Sequence, residues 1–306
     1  MPSRERRTFP LVPRRRRTGL PFGDLPGRRR GHGAEVIAHR PYEPGDPVSA
    51  IDWSATARLS AVTGADAFVV RSKAADEAPR VVIVADRRPA MSLYPDGLPW
   101  FSKHEALSEA LLAIVTSAEA ARADVAALDF AHGEAWWLPP GRRERAWQLS
   151  ERDRTASFDA PADTLEQSFE FLGRRRANLP PGSFVFVLSD FLAMPPTEAW
   201  LDAVGHGWDV VPVILQDPVW ERSFPAVAGV AVPVTDPIDH TTSLVRLQRR
   251  QAARLRDDHE LRYDELVALF TSLGLEPVTI SSSDPIDIDS AFGAWAEERR
   301  RTQWAR

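Results

Sequence analysis

An α/β fold, a mostly parallel sheet covered by helices on both faces, is what this sequence predicts, and three observations predict it. From Arg80 onward, short runs of β-branched and aromatic residues alternate with stretches of helical period. Two of those runs, VVIV at 81–84 and FVFVL at 184–188, are continuously apolar, as strands buried on both faces are. With 306 residues, 43% of them hydrophobic, the chain can also build one large core or two ordinary ones.

Residues 1–33 are rich in Arg, Pro and Gly without an apolar period, and read as a basic, largely irregular arm. The arm carries ten arginines against two acids, which leaves 28 basic and 41 acidic side chains in the rest of a chain whose net charge is -5. A solvated tail is one reading of the arm; binding to nucleic acid or an anionic surface is the other. Residues 34–75 read as a β extension: EVIAHRPY, a breaker at Glu43-Pro44-Gly45-Asp46-Pro47, then AIDWSATARLS and ADAFVVRSK as further strands.

Residues 76–306 form the α/β body. After the strand at 81–84, Ser102 and Glu105 have the spacing of a capping box, and Leu107, Ala110, Leu111, Ile114, Ala118 and Ala121 make an apolar stripe. DVAALDF and EAWWL pair as a hairpin turning at His132-Gly133. Helices follow at 163–176 and 197–204, strands at SFVFVL and WDVVPVIL, a short strand near 227–233, a long polar helix at 244–273 stopped by Gly274, the strand EPVTI and a final helix at 287–301. Most tryptophans, among them Trp100, Trp136, Trp137, Trp200, Trp208 and Trp295, fall at positions where core packing is the default.

Several function classes drop out. Without cysteine there is no disulfide, thiolate zinc site or cysteine nucleophile, and the seven histidines include no pair at i, i+4 spacing. No apolar run is long enough to span a bilayer or serve as a secretory signal, so a cytoplasmic protein without a membrane span is expected. Gly31-His32-Gly33 lacks the third glycine of a dinucleotide fingerprint, and neither a P-loop nor a nucleophile elbow occurs. The acidic body argues against nucleic acid as the main partner.

The most suggestive residues are Asp86 and Asp190, each following a buried strand. If those strands are parallel neighbours, both carboxylates lie on one rim of the sheet, where open α/β sheets place ligands. Helix capping or pairing with an arginine is the structural alternative.

The segment RRRGHGAEVIAHRPYEPGDPVSAIDWSATARLS, with FVVRS and VVIVADRRPAM after it, resembles the bacterial family called domain of unknown function 58. The matching positions are Arg40, Tyr42, Pro44, Gly45, Asp46, Ile51, Asp52, Trp53, Ala57 and Arg58, and a weaker likeness continues through VLSDF at 187–191. The resemblance implies a doubly wound, Rossmann-like von Willebrand factor A-like domain behind an N-terminal β extension, and partnership with a MoxR-type AAA+ ATPase. Arg40, Tyr42, Asp46, Asp52, Trp53 and Arg58 are then either structural, with Arg40 paired to Asp46 or Asp52 and Trp53 packed between extension and sheet, or a docking surface.

Domains of this kind often carry a metal ion-dependent adhesion site with the sequence Asp-x-Ser-x-Ser, plus a threonine and an aspartate from later loops. Here the corresponding residues are Asp86, Arg88, Ala90, Thr164 and Asp190. Both serines are replaced, so a degenerate site is expected, with no metal, or Mg²⁺ if the remnant still binds. Arg88 offers a planar fork able to satisfy Asp86 and Asp190 together. The function expected is a non-enzymatic interaction or adaptor module; a metal-dependent phosphohydrolase or ligand binder using Asp86 and Asp190 is the rival.

Overall fold

In the computed structural model, the structure describes residues 7–14, 26–30, 36–42, 51–63, 68–76, 79–93, 101–227, 229, 231–236 and 241–304. The chain divides into two compact units, one of residues 15–79 and one of residues 80–306 together with the N-terminal stretch up to Arg14.

The smaller unit holds β1 (Pro26–Arg30), β2 (Val36–Pro41), α1 (Trp53–Thr63) and β3 (Val69–Asp76), with β3 between the other two strands in an antiparallel sheet. Two sequence expectations change here. Pro26–Arg30, expected to be irregular, is a strand, because β3 supplies a partner edge that no local pattern announces. AIDWSATARLS, expected as a strand, is mostly the helix α1: the Asp52 carboxylate accepts a hydrogen bond from Ala55 N at 3.0 Å and caps it. Ile51 keeps only a bridge to Val70.

The larger unit contains β4 (Arg80–Ala85), α2 (Lys103–Ala120), β5 (Asp124–Asp129), β6 (Trp136–Gly141), α3 (Arg145–Thr155), α4 (Thr164–Arg174), β7 (Phe184–Ser189), α5 (Thr197–Gly205), β8 (Asp209–Leu215), β9 (Ala231–Thr235), β10 (Thr242–Arg246), α6 (Arg249–Ser272), β11 (Val278–Ile280) and α7 (Pro285–Trp304). Six strands form one sheet in the order β11-β8-β7-β4-β5-β6, parallel except for β6. This is the doubly wound, Rossmann-like arrangement, with the strand order reversing between β4 and β7. The long helix expected from 244 begins instead at Arg249, because Thr242–Arg246 pairs with β9 as a separate hairpin. His132, at φ 64°, and Gly133 make the β5–β6 turn.

Apolar residues fill both faces of the sheet. Under α4, α5 and α6, Phe169, Trp200, Phe191 and Phe270 meet in edge and tilted contacts, with Trp200 4.9 Å from Phe169 and 5.1 Å from Phe270. On the other face, Phe186, Phe292 and Trp295 pack together and receive Phe9, which stacks on Phe292 at 4.6 Å. Arg7–Arg14 has no helix or strand, yet Phe9 and Val12 are buried in this unit. No described helix is long and apolar enough to cross a membrane.

Candidate functional site: the rim between β4 and β7

The sequence makes β4 apolar from Val81 to Ala85 and β7 from Phe184 to Leu188, so both are buried on both faces and lie side by side with Ala85 opposite Leu188. The next residues therefore leave the sheet together, and Asp86 N donates to Leu188 O at 3.0 Å. Asp86 and Asp190 thus share the carboxyl-end rim at the topological switch point, where this fold class places ligands. Both are fully buried.

Arg88 turns back onto this rim. Its Nε donates to both oxygens of Asp86, at 3.0 and 2.9 Å, and its Nη2 reaches Asp86 Oδ2 at 2.5 Å, Ser189 Oγ at 3.1 Å and Asp190 Oδ1 at 3.4 Å. Nη1 donates to the carbonyl of Ala193 at 3.0 Å, and the Arg88 backbone N–H adds a further bond to Asp86 at 2.9 Å. Ser189 Oγ donates to Asp86 Oδ2 at 2.7 Å.

A second cation closes the far side. Lys103 Nζ donates to Asp190 Oδ2 at 2.8 Å and to Ala90 O at 3.2 Å, and forms an ion pair with Glu221. The site thus sets Arg88 and Lys103 against Asp86, Asp190 and Glu221. Burial opposes the charge on Arg88, but Asp86 and then Asp190 outweigh it, and the pKa of Arg88 is raised. Lys103 is raised in the same way: burial is outweighed by Asp190 and Glu221. Burial would lift Asp190, yet Lys103 and Arg88 hold it below the ordinary aspartate range. For Glu221 burial wins over Lys103, and its pKa is raised.

Of the residues singled out in the sequence, Asp86, Arg88 and Asp190 come together, and Ala90 takes part through its carbonyl. Thr164 is buried at the first turn of α4, where its backbone bonds to Pro161 and Ser168. Lys103, Ser189 and Glu221 escaped the sequence reading. A signal for Lys103 was present: it opens α2, and the positive end of a helix dipole disfavours a cation. The Ser102 cap before it also has a tertiary partner. Ser102 Oγ accepts from Glu105 N as the spacing predicts, but Ser102 N donates to Ser283 Oγ at 2.7 Å.

The donor set does not fit a divalent ion. Magnesium needs hard oxygens with free lone pairs in octahedral array, and both Asp86 oxygens accept bonds from Arg88 while the two serine positions are Arg88 and Ala90. Among the described residues, no group of three or more His, Asp or Glu side chains is placed to hold a metal.

The signature residues of the smaller unit fall differently. Asp52 caps α1, Arg58 bonds to Ser54 within the same helix, and Asp52 N donates to Val69 O at 2.8 Å. Trp53 is 59% exposed and touches Phe68 edge-on within the smaller unit, as Tyr42 does. Its place on the first turn of α1 rather than on a strand turns it outward. Arg40 lies in β2 opposite Val70, and its side chain is outside the described residues, as are Asp46, Gly31-His32-Gly33 and Trp100.

Among solved structures, the chain is similar to BatB, a conserved hypothetical protein from Bacteroides thetaiotaomicron, at 15% identity over 73% of this chain and 99% of that one, with a TM-score of 0.43. An aerotolerance-related membrane protein from Bacteroides fragilis, carrying multiple mutations to serine, gives the same figures of 15%, 73%, 99% and 0.43. The PilB minor pilin from Streptococcus sanguinis matches at 11% identity over 78% of this chain and 65% of that one, with a TM-score of 0.36. No curated protein sequence matches the chain. The model of the family described as protein of unknown function DUF58 matches residues 38–265, well over half of the sequence, and the chain belongs to that family.

Proposed function

We propose that this protein is a non-enzymatic interaction module whose ligand rim has been closed by its own cations. The observation that carries this reading is the double occupation of the Asp86–Asp190 pair by Arg88 and Lys103. Carboxylates used for metal binding or acid–base work need a free lone pair or an exchangeable proton facing substrate, whereas here they are buried and hydrogen-bonded within the chain. What remains for function is surface, and the resemblance to the family supplies the partner class: a MoxR-type AAA+ ATPase, which the module would link to another protein.

Titration of the full chain with Mg²⁺ and Mn²⁺ tests the closed rim. The expected result is no saturable binding and no rise in melting temperature with metal, since a ligand of the native state would raise it. Saturable micromolar binding that disappears in Asp86→Ala would overturn the reading in favour of a metal-dependent one. For the partner, the full chain mixed with a MoxR-type ATPase from the same genome should co-elute in a nucleotide-dependent way; separate elution in every nucleotide state would remove the ATPase from the proposal.

A further inference from the structure

On the opposite face of the sheet from α2 and α7, a groove of about 270 Å³ runs between α4 and α5. Its floor is apolar, with Phe169, Ala203 and Trp208 buried beneath it. Acidic residues stand on both walls, Glu166 and Glu170 from α4 and Glu198 and Asp202 from α5, with the imidazole of His206 at the end of α5 also in the lining. Each pair is four residues apart, so each helix presents two carboxylates on one face, one turn from each other. A second cleft of about 230 Å³ continues from Glu166 past Asp163 to Met194.

This arrangement costs the fold something. Like charges one turn apart destabilise a helix, and Asp202 lies in the last turn of α5, where the dipole disfavours an anion, although Glu166 and Glu198 in the first turns of α4 and α5 are favoured by it. Of the four wall carboxylates, only Glu170 has an ion-pair partner among the described residues, the exposed Arg174 at 3.4 Å. Contrast the rim site, where every carboxylate faces a cation of the same chain. The groove volume falls below the roughly 300–1,000 Å³ of small-molecule sites. It suits side chains presented by a polypeptide better than a metabolite.

We propose that this groove docks a basic segment of a partner protein, with arginine or lysine on the two acidic walls and apolar residues on the floor. The inference names a partner surface for the interaction module proposed above and rests on that reading. Carboxylates one helical turn apart on a wall are separated by about 6 Å along the helix. Basic residues two apart in an extended segment repeat at about 6.7 Å, so successive cations reach successive carboxylates. The long stems of Lys and Arg can lie along Pro196 and Ala199 while their charged ends stay with the walls. A partner segment of this chemistry would remove the carboxylate repulsion and cover the apolar floor at once.

The probe is a labelled eight-residue peptide of alternating arginine and leucine, followed by fluorescence anisotropy with the full chain. Binding should weaken steeply with added salt, and the same peptide with glutamate in place of arginine should not bind. Glu166→Gln combined with Asp202→Asn should weaken binding at least tenfold, and Ala199→Phe, which fills the groove without changing charge, should do the same. Glu297→Gln combined with Glu298→Gln on α7 removes an equal charge elsewhere and should leave affinity within twofold. Equal affinity in the wild type and the Glu166/Asp202 variant, or an equal loss in the Glu297/Glu298 variant, overturns the proposal. Spermidine binding that both groove variants abolish, with no preference for the peptide, would make this a polyamine site and also overturn it. Metal titration is run on the same samples. Saturable metal binding with intact peptide binding would sink the closed-rim reading and leave the groove, whereas absence of both would sink the groove alone.

Discussion

Two buried charge networks lie at opposite ends of the same parallel sheet, and they use the same chemistry for different ends. At the carboxyl ends, two cations from separate elements, Arg88 and Lys103, meet three carboxylates in a rim where this fold class binds ligands. At the amino ends a single guanidinium does all the work. Arg299 on α7 donates to both oxygens of Asp209, at 2.9 and 3.0 Å, to Glu276 at 2.5 Å and to the carbonyl of Val12 at 2.9 Å. Asp209 also accepts the backbone N–H of Arg14 at 2.7 Å. The lower network therefore clasps the N-terminal stretch against the sheet, and Phe9 fills the apolar side of that seam. The upper network instead ties the loops after β4 and β7 to the start of α2 and to the turn after β8. One is a staple for the N-terminal segment; the other joins loops of the sheet's carboxyl-end rim.

Breaking each network in turn separates these roles. The largest effect is expected for Lys103→Ala, which strands Asp190 and Glu221 in a buried place. A cost of roughly 3–5 kcal/mol is expected, read as a shift of the urea midpoint at constant slope. If the loss is below about 1 kcal/mol, the range of exposed pairs, the upper network is not a buried one in solution. Arg299→Ala should come second. It strands Asp209, but the side chain of Glu276 is 40% exposed and rehydrates, so about 3 kcal/mol is expected. Its distinguishing mark is loss of hydrogen-exchange protection at Phe9, which Lys103→Ala should leave protected. Phe9→Ala should be smaller, about 1–3 kcal/mol, because a terminal stretch can detach without unfolding the sheet. Global unfolding at the same denaturant concentration for Phe9 and the core amides would show that the clasp is integral instead.

The smallest effect is the pH dependence, and it sharpens the contrast within the upper network. Asp190 is held below its ordinary pKa, so its contribution is present above about 3.9 and is lost as the pH falls through its lower folded value. Glu221 has the opposite sign. Its pKa is raised, so the folded state favours its protonated form, and stability from this group declines as the pH rises from about 4.3 through its higher folded value. Denaturation curves from pH 3 to 7 should therefore show Asp190→Asn losing most relative to wild type at the upper end, and Glu221→Gln losing least at that same end. Parallel curves for wild type and both variants would mean that neither carboxylate titrates as described.

The alternation of β-branched runs with helical stretches from Arg80 onward was enough to read the doubly wound sheet, since strands buried on both faces must be apolar throughout. The same logic put Asp86 and Asp190 on one rim, because parallel neighbours that end together deliver their next residues together. Local reasoning failed where the partner is remote. Pro26–Arg30 becomes a strand only because β3 offers an edge, and Trp53 starts a helix because Asp52 caps it. What only the tertiary structure decided is the company those rim carboxylates keep. Ser189 is one residue from Asp190, yet its hydroxyl serves Asp86; Lys103 and Glu221 arrive from α2 and from the turn after β8, 87 residues and more removed in sequence for the Lys103–Asp190 pair. Strand identity is written in side-chain hydrophobicity and is read along the chain, whereas ion pairing depends on which loops the packed helices bring within about 3 Å of one another, and no local pattern carries that distance.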